Sequence, residues 1–148
     1  MSDISGFGLI ATVKASVTFP VGVPITQFAD DIDPLDIAAL ELAQTAMGLN
    51  GNLITWSKPN PIMATLAVVP GSLDDIALGI IAEANRVAAG KRPARDIITL
   101  TLVYPSGNVI TLSKGAITSA IPGNPVASQG RMKSKPYIFA FENKVSAL

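Results

Sequence analysis

Strict alternation of apolar and polar residues marks both ends of this chain. In 8–19, Ala11, Val13, Ala15, Val17 and Phe19 share one side, and Thr12, Lys14, Ser16 and Thr18 share the other. That period of two predicts a half-buried strand. Pro20-Val21-Gly22 turns the chain, and 23–29 can return as a second strand, which Pro24 assigns to a sheet edge or a strand start. Near the other end, Leu100 and Leu102 alternate with Thr99 and Thr101. Pro105-Ser106-Gly107-Asn108 then supplies a turn, and Val109, Ile110 and Leu112 resume the apolar run. Tyr137, Phe139 and Phe141 fall on one face of a last strand. Residues 96–142 therefore read as a β-meander built to pair and pack.

The middle of the chain mixes periods. Gly48-Leu49-Asn50-Gly51-Asn52 is hairpin turn chemistry, and Leu53-Ile54-Thr55-Trp56 beyond it is strand-like. The favoured reading is a hairpin with arms near 41–47 and 53–57. A helix over 35–47 competes with it, because that stretch holds good helix formers. Residues 62–69 predict a mostly buried strand ended by Pro70-Gly71. A helix follows, with Ser72 as its cap and Asp74 and Asp75 at its positive end. Leu73, Ile76, Ala77, Ile80, Ile81, Ala84, Val87 and Ala88 recur at helical spacing and predict the core-facing stripe. Leu78, Gly79 and Ala82 lie off it and offer a second packing surface. Gly90 occupies the position of a left-handed cap, and Pro93 prevents the helix from resuming. Residues 121–136 form a long Gly-, Pro- and Ser-rich segment, a loop of functional length.

Composition narrows the chemistry. The 148 residues are long enough for one domain with a real core, and no linker divides them. Histidine and cysteine are absent, which removes the usual general base, the commonest metal ligand and every thiol mechanism. A cysteine-free chain is compatible with a reducing compartment. Eleven basic and eleven acidic residues cancel, so the basic excess of a nucleic-acid binder is missing. Hydrophobic content is 49%, charged content only 15%, and mean hydropathy +0.44. No run of about 18 apolar residues provides a membrane span, and the N-terminus lacks the basic-then-apolar order of a signal peptide. The surplus apolar surface therefore points to a subunit interface, which resembles a core cut in half.

The polar clusters are ambiguous. Asp30, Asp31, Asp33 and Asp36 crowd one loop, but the glycine and terminal glutamate of a calcium loop are missing at the required offsets. Arg131, Lys133 and Lys135 alternate along another segment. They suit a solvated face, a phosphate, or the acidic loop of a neighbouring subunit, and the last makes all seven residues candidate intersubunit contacts. Lys91, Arg92 and Arg95 follow the helix and complement its dipole. No phosphate-loop or dinucleotide motif occurs, and a catalytic triad lacks its base. Neither a catalytic residue nor a cofactor or metal site is expected.

The order of these parts resembles the tail tube proteins of contractile-tailed bacteriophages, including tube-like relatives at the baseplate end. The likeness rests on the N-terminal strand pair, the hairpin at 49–52 and the strand at 62–69. It also rests on a helix opening Pro70-Gly71-Ser72-Leu73-Asp74-Asp75, and on an ending of Gly130-Arg131-Met132-Lys133 followed by the strand 137–142. The resemblance implies a mainly β fold (α+β), a β-sandwich or partly rolled barrel with one flanking helix, whose strands join an intersubunit β-barrel. It implies a homo-hexameric ring that stacks into the inner tail tube, with sheath and baseplate proteins as partners. DNA would cross the lumen without specific binding, and no membrane anchor is involved. The expected location is the virion tail, after assembly in the host cytoplasm. A baseplate tube initiator or terminator ring, a secretion-system tube subunit, and a monomeric small-ligand-binding β-barrel or hydrolase are the competing expectations. Amphipathicity makes the 8–29 pair and the 41–57 hairpin the expected channel lining.

Overall fold

The computed structural model describes residues 7–30 and 32–147. In chain order its elements are β1 (Ile10–Ala15), β2 (Phe19–Ile25), β3 (Leu35–Ile37), β4 (Ala43–Met47), β5 (Leu53–Ser57), β6 (Ile62–Val68), α1 (Leu73–Asn85), β7 (Ile98–Val103), β8 (Val109–Ser119) and β9 (Lys135–Ala147). Seven strands pair, all antiparallel, in the order β2-β1-β7-β8-β9-β6-β3. Strands β4 and β5 form a separate two-stranded sheet. The fold is mainly β with one helix, as the alternation implied, and 41–57 is the hairpin rather than the competing helix. Strand β2, with Pro20 and Pro24, lies at a sheet edge, where a missing N–H breaks no ladder. The turn between β1 and β2 falls at 16–18, and Pro20-Val21-Gly22, expected to form it, lie inside β2 because Ala15 pairs with Phe19.

The large sheet is rolled into a half-barrel. Five strand spacings separate β2 from β6, roughly 24 Å in a flat sheet. Yet Phe28, three residues after the end of β2, already bridges Val68 at the end of β6, and three residues reach at most about 10 Å. The two margins must curl toward each other. Inside the curl lie Val13, Leu66, Leu100, Leu102, Tyr137, Phe139 and Phe141, each no more than 1% exposed. Phe139 and Phe141 stack with ring centroids 6.2 Å apart. Gly115 makes room for them, because a Cβ there would meet the Phe141 ring at 2.3 Å.

Three loops share one turn. The N–H of Gly48, Tyr104 and Ala127 each donates to the carbonyl four residues on, and the N–H of Gly51, Gly107 and Gly130 each donates to the carbonyl three residues back. Those three glycines have φ of 83°, 98° and 85°, the left-handed position that follows the turn in a three-residue hairpin loop. The long 121–136 segment is thus partly ordered as a small hairpin, with Val126 bridging Met132.

The helix departs from expectation in two ways. Its buried residues are Asp74, Asp75, Leu78 and Ile81, so the helix is rotated: Ile81, at the margin of the expected stripe, is buried, and beside it the face read as secondary packs on the sheet. Leu73, Ile76 and Ile80 are 81%, 53% and 48% exposed. The helix also ends at Asn85, with Arg86 already extended, and Gly90 belongs to a later turn between Ala88 and Lys91. A third difference is β3, a short edge strand at 35–37 inside what the sequence presents as an acidic loop.

Candidate assembly surfaces

Three buried aspartates fix the helix and decide which of its faces points outward. At its N-terminal end Ser72 accepts from the N–H of Asp75, the expected cap. Asp74 accepts from the N–H groups of Thr26 and Gln27, both at 2.6 Å, and so ties the helix to the end of β2. Asp75 accepts from the Tyr137 hydroxyl at 2.7 Å and the Gly71 N–H at 2.9 Å, and its carboxylate lies 3.2 Å from the Lys135 ammonium. At the other end, Asp96 accepts from the N–H of Val17 and Thr18, from the Thr18 hydroxyl and from the Asn85 amide, at 2.6–3.0 Å.

Burial works to raise the carboxyl pKa of Asp75 and Asp96, but these donors outweigh it and hold both below the ordinary carboxylate value. Burial and the neighbouring Asp75 charge push the Tyr137 hydroxyl well above its usual range. The cluster is saturated with internal bonds. It fastens the helix to β2, to β9 and to the segment before β7.

The candidate charged residues are dispersed. Arg131 grips Asp30 with two hydrogen bonds, at 2.6 and 3.1 Å, on the surface of the same chain. That bidentate contact lowers the Asp30 pKa. Lys135 is buried against Asp75 and also donates to Asn124. Asp33, Asp36 and Lys133 are exposed, with Asp36 on β3. Asp31 lies outside the described residues. Lys91 donates to the carbonyls of Glu83 and Arg86 at the helix C-terminus, where a cation complements the dipole. Among the described residues, no group of three metal-ligating side chains converges.

The unsatisfied surface is apolar instead. Every residue of β5 is exposed, as are four of the five in β4. The hairpin leaves Leu42, Met47, Leu49, Leu53, Ile54 and Trp56 between 47% and 104% exposed. A two-stranded sheet alone is marginal in water. The helix contributes a second such surface through Leu73, Ile76 and Ile80. Sequence reasoning placed that stripe in the core. The contrary signal was the small Gly79 and Ala82 beside Leu78, which let the other face approach β9, where Tyr137 Oη lies 3.7 Å from a Cβ built on Gly79. A cleft of about 340 Å³ opens between the second half of the helix and the end of β8. The rolled interior itself is filled by aromatic and aliphatic side chains.

The comparisons agree with this architecture. The chain shares its fold with a chain of the tube-terminator assembly from an extracellular contractile injection system, the PVC sheath/tube terminator in its extended state. That match has TM-score 0.55 and 14% identity, and it covers 100% of this chain and 99% of the other. A chain of the PVC sheath–tube complex matches with TM-score 0.57 and 14% identity, covering 98% and 91%. A chain of the sixfold-symmetrised anti-feeding prophage baseplate matches with TM-score 0.61 and 10% identity, covering 99% and 97%. No curated protein matches by sequence. A family model described as tail fiber protein gp32 matches residues 2–145, nearly the whole sequence, and the chain therefore belongs to the tail fiber protein gp32 family.

Proposed function

We propose that this protein is a structural, non-enzymatic subunit of a contractile phage tail. It forms a homo-hexameric ring that stacks into the inner tube, beside sheath and baseplate proteins, and encloses the path of DNA. The observation that carries the reading is the β4–β5 hairpin, a charge-free strand pair with both faces open. Such a hairpin is an aggregation hazard on a monomer and an asset in a ring whose neighbours cover it. The shared fold with chains of sheath–tube and terminator assemblies supports the same role. The whole chain acts as one ring-forming domain.

The sheet face turned away from the core suits a channel wall. Thr12, Thr101 and Thr111 stand side by side across β1, β7 and β8. Thr99 faces Lys14 in the next row. Hydroxyls with few cations offer DNA little of the sequence-independent attraction that each basic contact adds. In this reading the lining comes from β1, β7 and β8, and the hairpin serves the joints between subunits. A single terminal or baseplate ring is the second reading, favoured by the terminator and baseplate neighbours.

Electron microscopy and light scattering of the purified protein test both. Long hollow tubes support the tube subunit, and isolated rings that never elongate support the terminal ring. A stable monomer at millimolar concentration overturns both.

A further inference from the structure

The hairpin and the outer helix stripe are unlike surfaces with matching needs, and we infer that each is the other's partner: the β4–β5 hairpin of one copy seats on the exposed face of α1 in the next copy. The inference rests on the ring reading above and names the joint that would build it.

Size is the first support. On the face of the hairpin that carries Ile54 and Trp56, these side chains are 53% and 47% exposed. On the helix, Leu73, Ile76 and Ile80 are 81%, 53% and 48% exposed, so two open apolar patches of similar extent need cover. The opposite hairpin face, with Met47 and Leu53, is left for a further contact. Shape is the second. Five-residue arms give a face about 17 Å long, and the thirteen-residue helix is about 20 Å long. On one hairpin face, Ala46 stands opposite Ile54 and Gln44 opposite Trp56. The indole N–H of Trp56 donates to the Gln44 side chain at 3.0 Å, so that face can be covered without orphaning a donor. On the helix, the half-buried Ala77 and Ala84 flank Ile76 and Ile80, which lets a flat strand pair come close.

Charge is the third support and chooses the occupant. No charged residue occurs between Glu41 and Lys58, and on the outward face of the helix Leu73, Ile76 and Ile80 are uncharged up to Glu83, which ends the apolar stretch. The nearby charges of Glu83, Arg86 and Lys91 are already paired with one another. A partner for either surface must itself be uncharged and apolar, and this chain carries one of each. Because the two surfaces differ, their contact is head-to-tail, which propagates into a ring or an open stack rather than stopping at a twofold dimer.

The absence of native cysteine makes the test direct. Ile54→Cys and Ile80→Cys are prepared separately, mixed and oxidised. Disulfide-linked dimers are expected in the mixture and not in either variant alone. The double variant should give a ladder of covalent oligomers ending at the ring size. Dimers from Ile54→Cys alone, or from Ile80→Cys alone, overturn the inference in favour of a like-with-like contact. Rings seen by microscopy without cross-linking in the mixture also overturn it, while leaving the ring function intact. Neither rings nor cross-links removes the ring function and this joint together.

Discussion

The rolled sheet and the β4–β5 hairpin are both antiparallel β structure, closed by the same turn, yet they solve the problem of burial in opposite ways. In the sheet, alternate residues of β7 are buried without remainder, and β9 delivers Tyr137, Phe139 and Phe141 to one interior. In the hairpin almost nothing is buried. The first region is complete within one chain. The second has the composition of a core and the exposure of a loop, which is stable as a design only when another surface covers it. Apolar content alone therefore does not locate a core. What separates the two regions is whether the chain itself supplies a second layer.

The largest test of that contrast removes one aromatic from each region. Phe139→Ala empties a site with no solvent exposure and should lower stability by about 3–5 kcal/mol in urea unfolding. Trp56→Ala, at a side chain 47% exposed, should change the monomer's stability by less than about 0.5 kcal/mol. It should nevertheless abolish or strongly weaken assembly, because a buried aromatic anchor typically contributes about 2 kcal/mol or more to an interface. A Trp56→Ala protein that unfolds easily as a monomer would show that the hairpin is already packed within its own chain.

That division also explains how far the sequence could be read. The meander, the hairpin, the buried β6 and the edge position of β2 were legible, because period-two patterns and turn residues are local signals. The orientation of α1 was not. Its most apolar stripe, Leu73, Ile76 and Ile80, points outward, and a face carrying two aspartates points inward. Periodicity assumes that a helix turns its most apolar side toward its own core. Here the Tyr137 hydroxyl, the Lys135 ammonium and the backbone of Gly71, Thr26 and Gln27 convert an acidic face into a satisfied internal one. Those partners lie as far as 62 residues away in sequence, and no local pattern reports them. The short β3 was hidden for a related reason, since three residues ringed by aspartates become a strand only when β6 offers an edge. Lys135 was grouped with the surface cations Arg131 and Lys133 because alternation there suggested one exposed face, and nothing nearby in sequence marked Asp75 as its counter-ion.

Acid should separate the two regions next. The Asp96 carboxyl titrates below its ordinary value in the folded protein. The stability it contributes is therefore complete above its unfolded value, near pH 4, and is lost as pH falls through the lower folded value. Asp75 shares that sign. Asp96→Asn should cost about 2 kcal/mol at neutral pH, since buried donors lose their acceptors. It should also reduce the fall in urea stability between pH 5 and pH 2. The hairpin contains no titratable group between Glu41 and Lys58, so hydrogen exchange of its amides, corrected for intrinsic pH dependence, should follow neither change. An Asp96→Asn protein with an acid slope as steep as the parent's would remove this carboxylate from the account.

The smallest effect gives the sharpest comparison, because the same substitution can be placed in the same turn of both regions. Gly107, between β7 and β8, and Gly51, between β4 and β5, have φ of 98° and 83°, and a Cβ on either would meet nothing within 4 Å. Alanine at each position therefore pays only for the left-handed backbone, about 1 kcal/mol. In Gly107→Ala that cost falls on a turn of the cooperative sheet, and the urea midpoint should drop accordingly. In Gly51→Ala it falls on an element that opens without the rest. The midpoint should stay where it was, while exchange of the hairpin amides rises about fivefold, the factor that corresponds to ~1 kcal/mol of local opening. Equal midpoint shifts from the two variants would mean that hairpin and sheet unfold as one body, and that the open faces of the hairpin are no sign of an element waiting for a neighbour.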